Sequence, residues 1–131
     1  MHSIPIQIRF NDVDQMGHVN NAVIMEYFDL GKSSFFSSLG IKPEDGDFTV
    51  IVVHLDVDFL SQIHFRDALC VHTGVTRIGN KSLHVLQHVI KSDGTVCATC
   101  RTVMSGYSRP TGTSAVIPDG FRTLIPVESG E

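Results

Sequence analysis

The chain has 131 residues, a net charge of −4, 42% hydrophobic and 18% charged residues. That length suits a single domain, 1–131, with a real core, and the composition is globular rather than disordered. The acidic balance argues against a nucleic-acid partner, and no apolar run reaches the roughly 18 residues of a membrane span.

The start, MHSIPIQIRF, shows no basic segment leading into an apolar one. No secretory signal is expected, and a cytoplasmic location follows. From Ile4 to Asp12 the apolar residues Ile4, Ile6, Ile8 and Phe10 alternate with Pro5, Gln7 and Arg9, the pattern of a half-buried strand. A loop from Val13 to Val19 contains Gly17. From Asn20, a good N-cap, apolar residues at Val23, Tyr27, Leu30, Phe35 and Leu39 predict a helix of about five turns, widened by Ile24, Phe28 and Phe36 and stopped at Gly40.

Lys42 to Asp47 is polar and reads as a loop. Val50 to Leu60 predicts a strand with Ile51, Val53, Leu55, Val57 and Phe59 on one face and His54, Asp56 and Asp58 on the other. Strands are also predicted over Asp67–Ile78, Lys81–Lys91 and Thr95–Tyr107, joined by turns at Gly79-Asn80 and Ser92-Asp93-Gly94. Pro110 to Ser114 reads as loop, and Pro118 to Leu124 as the start of a short helix. One strand, one long helix and four hairpin-linked strands give an α+β fold, an antiparallel sheet of about five strands against one central helix. Sheet edges need cover, which points to a homodimer or a homotetramer.

The stretch RFNDVDQMGHVNN sets Asp12 and Asp14 in a turn just before the helix. There, unpaired backbone N–H groups and the positive end of the helix dipole can hold an oxyanion. An acid beside such a site suits attack on an activated acyl group. From the residues alone, a turn-forming acid is the commoner role for Asp14.

The same run, followed by a long helix, resembles the hotdog-fold acyl-CoA thioesterases of the 4-hydroxybenzoyl-CoA thioesterase type. The likeness extends along FLSQIHFRDALCVHTGVTRIGNKSLHV and RPTGTSAVIPDGFRTLI. It implies a thioesterase acting on an acyl-CoA or acyl-carrier-protein thioester, with coenzyme A as part of the substrate and no other cofactor. By position it implies Asp14 as the catalytic carboxylate, nucleophile or general base, and the Asn21 backbone N–H as the oxyanion donor. Gly17 would allow close approach, and His18 and Asn20 would shape the loop. Lys81 and Ser82 match a turn that contacts coenzyme A in relatives, partly across a dimer interface. Ile24 stands where relatives often carry an aromatic residue, so Ile24 and Tyr27 are the expected readers of the acyl group. Lys32 and Asp29 replace a common Arg and Glu, and His64-Phe65 lies where a Pro is frequent. Two other readings are a hotdog hydratase or dehydratase, and a non-catalytic acyl-thioester binder.

Other constellations carry less. Asp12 is expected to be structural. Asp12 to Gly17 begins like a calcium loop, but Met16 and Val23 fall where ligands are needed. Cys97 and Cys100, three apart on a strand, should point to opposite faces as small half-buried side chains, bound to neither metal nor each other. His54, Asp56 and Asp58 on one strand face could converge on a metal, but Asp58 would lie about twice as far from His54 as Asp56 does and a dimer-facing or solvent-facing sheet is the commoner role, while His84 and His88, four apart on a strand, are too distant to chelate together. No metal is expected.

Overall fold

The computed structural model describes residues 1–129. Strand β1 spans His2–Ile6, helix α1 Asn21–Ser38, β2 Phe48–Phe59, β3 Leu69–Ile78, β4 Ser82–Lys91, β5 Val96–Ser108, β6 Thr113–Ser114 and the short α2 Asp119–Arg122. The strands form one antiparallel sheet in the order β1-β3-β4-β5-β2, with β6 added to β5. The expected α+β hotdog architecture is present, a long helix laid across an antiparallel sheet.

Helix α1 buries Ile24, Tyr27, Phe28, Gly31, Phe35 and Phe36. Leu30, placed in the stripe by its spacing, instead faces out and is 55% exposed. Gly31 explains the close seat: a Cβ there would lie 2.5 Å from Val71 Cγ1. Gln87, fully buried in β4, donates to the helix carbonyl of Phe28 at 2.8 Å and to Thr73 Oγ1 at 2.9 Å. The core divides along the helix into a cluster around Ile24, Phe28 and Ile63 and another around Phe35, Phe36 and Leu83.

Four local expectations are corrected. The first strand ends at Ile6, and Phe10–Asp12 forms a 3-10 turn. Asp12 causes this by accepting the Arg9 backbone N–H at 2.9 Å and pairing with the Arg9 guanidinium at 3.2 Å. In β2 a bulge between Val52 and His54 breaks the alternation. Val52 therefore sits opposite buried Met104, in line with Leu55, Val57 and Phe59, while Ile51 and Val53 fall out of that row. Cys97 and Cys100 are both fully buried in one cluster as free thiols, because the register of β4 and β5 shifts between Val89 and Ile90, beside Cys97. Burial pushes both thiols above their ordinary pKa. Finally, Thr113 and Ser114, expected in a loop, pair with β5.

Candidate active site

The loop between the 3-10 turn and α1 is closed by a bridge between Val13 and Val19. Inside it the Asp14 N–H donates to the His18 carbonyl at 3.0 Å, and the Gly17 N–H returns to the Asp14 carbonyl at 3.0 Å. Gly17 has φ +84, a left-handed conformation that glycine adopts without a Cβ clash. The Asp14 carboxylate is exposed, with Oδ1 accepting the Met16 N–H at 2.9 Å.

The loop is tied at its exit. The Asn20 N–H donates to the Asp12 carbonyl at 3.0 Å, and the Val19 N–H to the Ile63 carbonyl at 2.8 Å. Asn20 then caps the helix: its side chain accepts the Ala22 N–H at 2.8 Å, and its carbonyl accepts those of Val23 and Ile24. Of the first four helix N–H groups, only that of Asn21 has no acceptor among the described residues. It is the donor that a helix N-terminus leaves open for an anion.

Asp14, His18, Asn21 and Ile24 line one cleft of about 350 Å³ together with Met16, Val19 and the segment Phe59 to Ile63. Ile24 is 5% exposed and lies at its floor. The His18 ring meets that of His64 edge-on, centroids 5.1 Å apart. Asp67 accepts the His64 N–H at 2.8 Å and pairs with Lys91 at 3.2 Å, and these contacts hold its carboxyl below the usual range.

The two acids have separate surroundings. Asp12 is buried and accepts the Tyr27 hydroxyl at 2.6 Å. Burial pushes its carboxyl up, but the hydrogen bonds from Tyr27 and Arg9 outweigh that and leave its pKa lowered. The Tyr27 hydroxyl is pushed up by burial and by Asp12.

Not every expected residue gathers here. Tyr27, expected to read the acyl group, does not line the Asp14 cleft, because its hydroxyl is committed to Asp12. Asn20 is spent on the helix cap. Lys81 and Ser82 sit at the β3–β4 turn, the opposite end of β3 from Leu69. Ten residues of strand separate that turn from the Asp14 end, roughly 30 Å, so Lys81 and Ser82 do not approach Asp14 within one chain. Lys81 instead approaches Ser114 at 3.5 Å. The wall from Phe59 to Ile63 was not singled out by the sequence. Its one signal is an exposed apolar pair, Phe59-Leu60, at a strand end. Among the described residues no three His, Cys, Asp or Glu side chains converge as a metal site, and no helix is long and apolar enough to cross a membrane.

Residues 8–125 match the family model of the thioesterase-like superfamily. The chain is 26% identical over 107 residues to the uncharacterised protein YsmA of Bacillus subtilis, covering 82% of this chain and 73% of that one. It is 27% identical over 93 residues to the chloroplastic acyl-acyl carrier protein thioesterase ATL2 of Arabidopsis thaliana, covering 69% of this chain and half of that one. A Thermus thermophilus thioesterase solved with coenzyme A and Zn superposes with a TM-score of 0.81 at 29% identity, covering 94% of this chain and 90% of that one. The matched span takes in the Asp14 loop, the long helix and strands β2 to β5, and the chain belongs to the thioesterase-like superfamily.

Proposed function

We propose that this chain hydrolyses an acyl thioester of coenzyme A or an acyl carrier protein to the free acid and thiol. The observation that carries this reading is that Asn21, whose N–H at the start of α1 has no acceptor among the described residues, lines the same cleft as Asp14. The thioester carbonyl oxygen would accept from Asn21, where the helix dipole favours the developing negative charge. Asp14 would attack the carbonyl carbon directly, giving an anhydride that water then hydrolyses to free the acid and the carboxylate, or it would deprotonate a water that attacks instead. In both routes the carbon–sulfur bond breaks, and the thiolate leaves without needing a strong acid. Gly17 and His18 keep the loop in shape, and Ile24 bounds the acyl group. Coenzyme A enters as substrate, and no other cofactor is called for.

A homodimer completes this reading. β2 is an edge strand of twelve residues, and Val52, Val53, Leu55 and Phe59 on it are 43–58% exposed. Such an edge invites pairing with a second copy. Lys81 and Ser82 would reach substrate only from the partner protomer. Pairing of two dimers would give the tetramer. The free thiols of Cys70, Cys97 and Cys100 favour a reducing cytoplasm.

The test is release of free thiol from a panel of acyl-CoA and acyl-carrier-protein esters, with the mass measured by light scattering. Hydrolysis by a dimer or larger assembly supports the proposal. Hydration of enoyl-CoA without thiol release, or tight binding without turnover, replaces it with one of the other readings.

A further inference from the structure

Asp14 also borders a second cleft, of about 470 Å³, whose other walls are Phe10, Asn11, Val13 and Phe65. The rings of Phe10 and Phe65 meet edge-to-face, centroids 6.2 Å apart and planes at 85°. Both are exposed, Phe10 to 82% and Phe65 to 41%. The Arg66 guanidinium lies 6.0 Å from the centre of the Phe65 ring, a cation beside one wall of the cleft.

This aromatic wall is held from both sides. Phe10 stands in the 3-10 turn closed by Arg9 and Asp12. Phe65 and Arg66 lie between two anchors, the Ile63 carbonyl bonded to Val19 and the Asp67 carboxylate bonded to His64 and Lys91. Two large aromatics fixed in solvent beside a reactive carboxylate contribute nothing to the core. Their cost is justified by a ligand.

A thioester has two arms that diverge from the carbonyl carbon, and Asp14 lines both clefts. The cleft floored by Ile24, Val19 and Ile63 is lined by buried aliphatic side chains and suits the acyl arm. The aromatic cleft has exposed ring walls with a cation beside one of them, so it suits a long thiol arm that ends in a phosphate. We infer that Phe10 and Phe65 seat the phosphopantetheine arm of the substrate, with Arg66 as the contact for its phosphate. The methyl and methylene groups of the arm pack on the ring faces, and the guanidinium makes charge-assisted bonds beyond them. The inference rests on the thioesterase reading and adds to it the side on which the carrier is held. Coenzyme A and a carrier protein share this arm.

Three esters of one acyl group test it: the coenzyme A thioester, the pantetheine thioester without phosphate, and the N-acetylcysteamine thioester with a truncated arm. Phe65→Ala and Phe10→Ala should raise KM for the first two by about tenfold and leave the third nearly unchanged. Arg66→Gln should raise KM by roughly tenfold for the coenzyme A ester alone. Equal losses on all three esters, or no loss on any, overturn the assignment. So does a loss that follows dissociation of the assembly in light scattering, which would make the pair a subunit contact. Calorimetric binding of desulfo-coenzyme A separates this inference from hydrolysis. Binding that depends on Phe65 and Arg66 in a protein that cleaves no thioester upholds the subsite and refutes the hydrolase. Thiol release that is indifferent to all three variants does the reverse.

Discussion

The Tyr27 hydroxyl donates to Asp12 Oδ2 across 2.6 Å in the core, so the two acids of the D-x-D run have different tasks. Asp12 faces inward and fixes the turn, while Asp14, two residues on, is exposed at the mouth of the cleft. Tyr27→Phe removes one donor from a buried carboxylate. It should lower stability by about 1–3 kcal/mol in denaturant titration near pH 7. Asp12 has a lowered folded pKa, so the stability it contributes is present above the unfolded value near about 4 and is lost as pH falls through the folded value. The gap between wild type and Tyr27→Phe should therefore narrow in acid. A gap that widens below about pH 4 would mean that the bond serves the protonated acid.

His88 lies on the sheet with a buried Nδ1 that has no hydrogen-bond partner among the described residues. Burial, then His72 and Arg101, hold its pKa below the ordinary value. The unfolded chain therefore binds a proton more readily, and this histidine costs stability as pH falls through about 6.5. His88→Gln should flatten the pH dependence of the melting temperature between about pH 5 and 7. An unchanged slope would show that another group governs that range.

Gly31→Ala should cost about 1–3 kcal/mol, because Val71 is stiff, fully buried and unable to retreat from the added methyl. A shifted helix would also move the Asn21 N–H. The expected result is a lower melting temperature together with a lower kcat, measured well below the transition. A stability loss with kcat intact would show that the helix gives way locally.

How much of this was legible beforehand varies with the physics behind each feature. The helix from Asn21 to Ser38 was written in its apolar spacing, its Asn cap and the glycine beyond its end. The four long strands were likewise clear, because alternation and turn residues are local signals. The bulge at Val52–His54 was not, since register is decided by the partner strand. Nor was the 3-10 turn at Phe10–Asp12, where a carboxylate captures backbone that the alternation assigned to a strand. Within the site, Asp14, His18, Asn21 and Ile24, the positions picked out by the family resemblance, line one cleft. Tyr27 did not, because its hydroxyl answers a carboxylate fifteen residues away. The wall from Phe59 to Ile63 was invisible for the same reason: the Val19–Ile63 bond that brings it in leaves no mark in either segment.

Ile24 forms the floor of the Asp14 cleft, the proposed seat of the acyl group. Ile24→Ala should move the preferred acyl group to a bulkier one, changing the ratio of kcat/KM between a short and a longer ester by about 10-fold or more. The ratio is taken within each variant, so loss of folded protein cancels. A ratio equal to that of wild type would place the acyl group elsewhere.

The most direct test of the central claim is the kcat of Asp14→Asn on the best acyl-CoA ester, beside a circular dichroism melt. Asp14 is exposed, so the variant should melt like wild type, while kcat falls by about 10²–10⁴-fold or more. An Asp14→Asn protein that is folded and hydrolyses the ester at the wild-type rate would contradict the account.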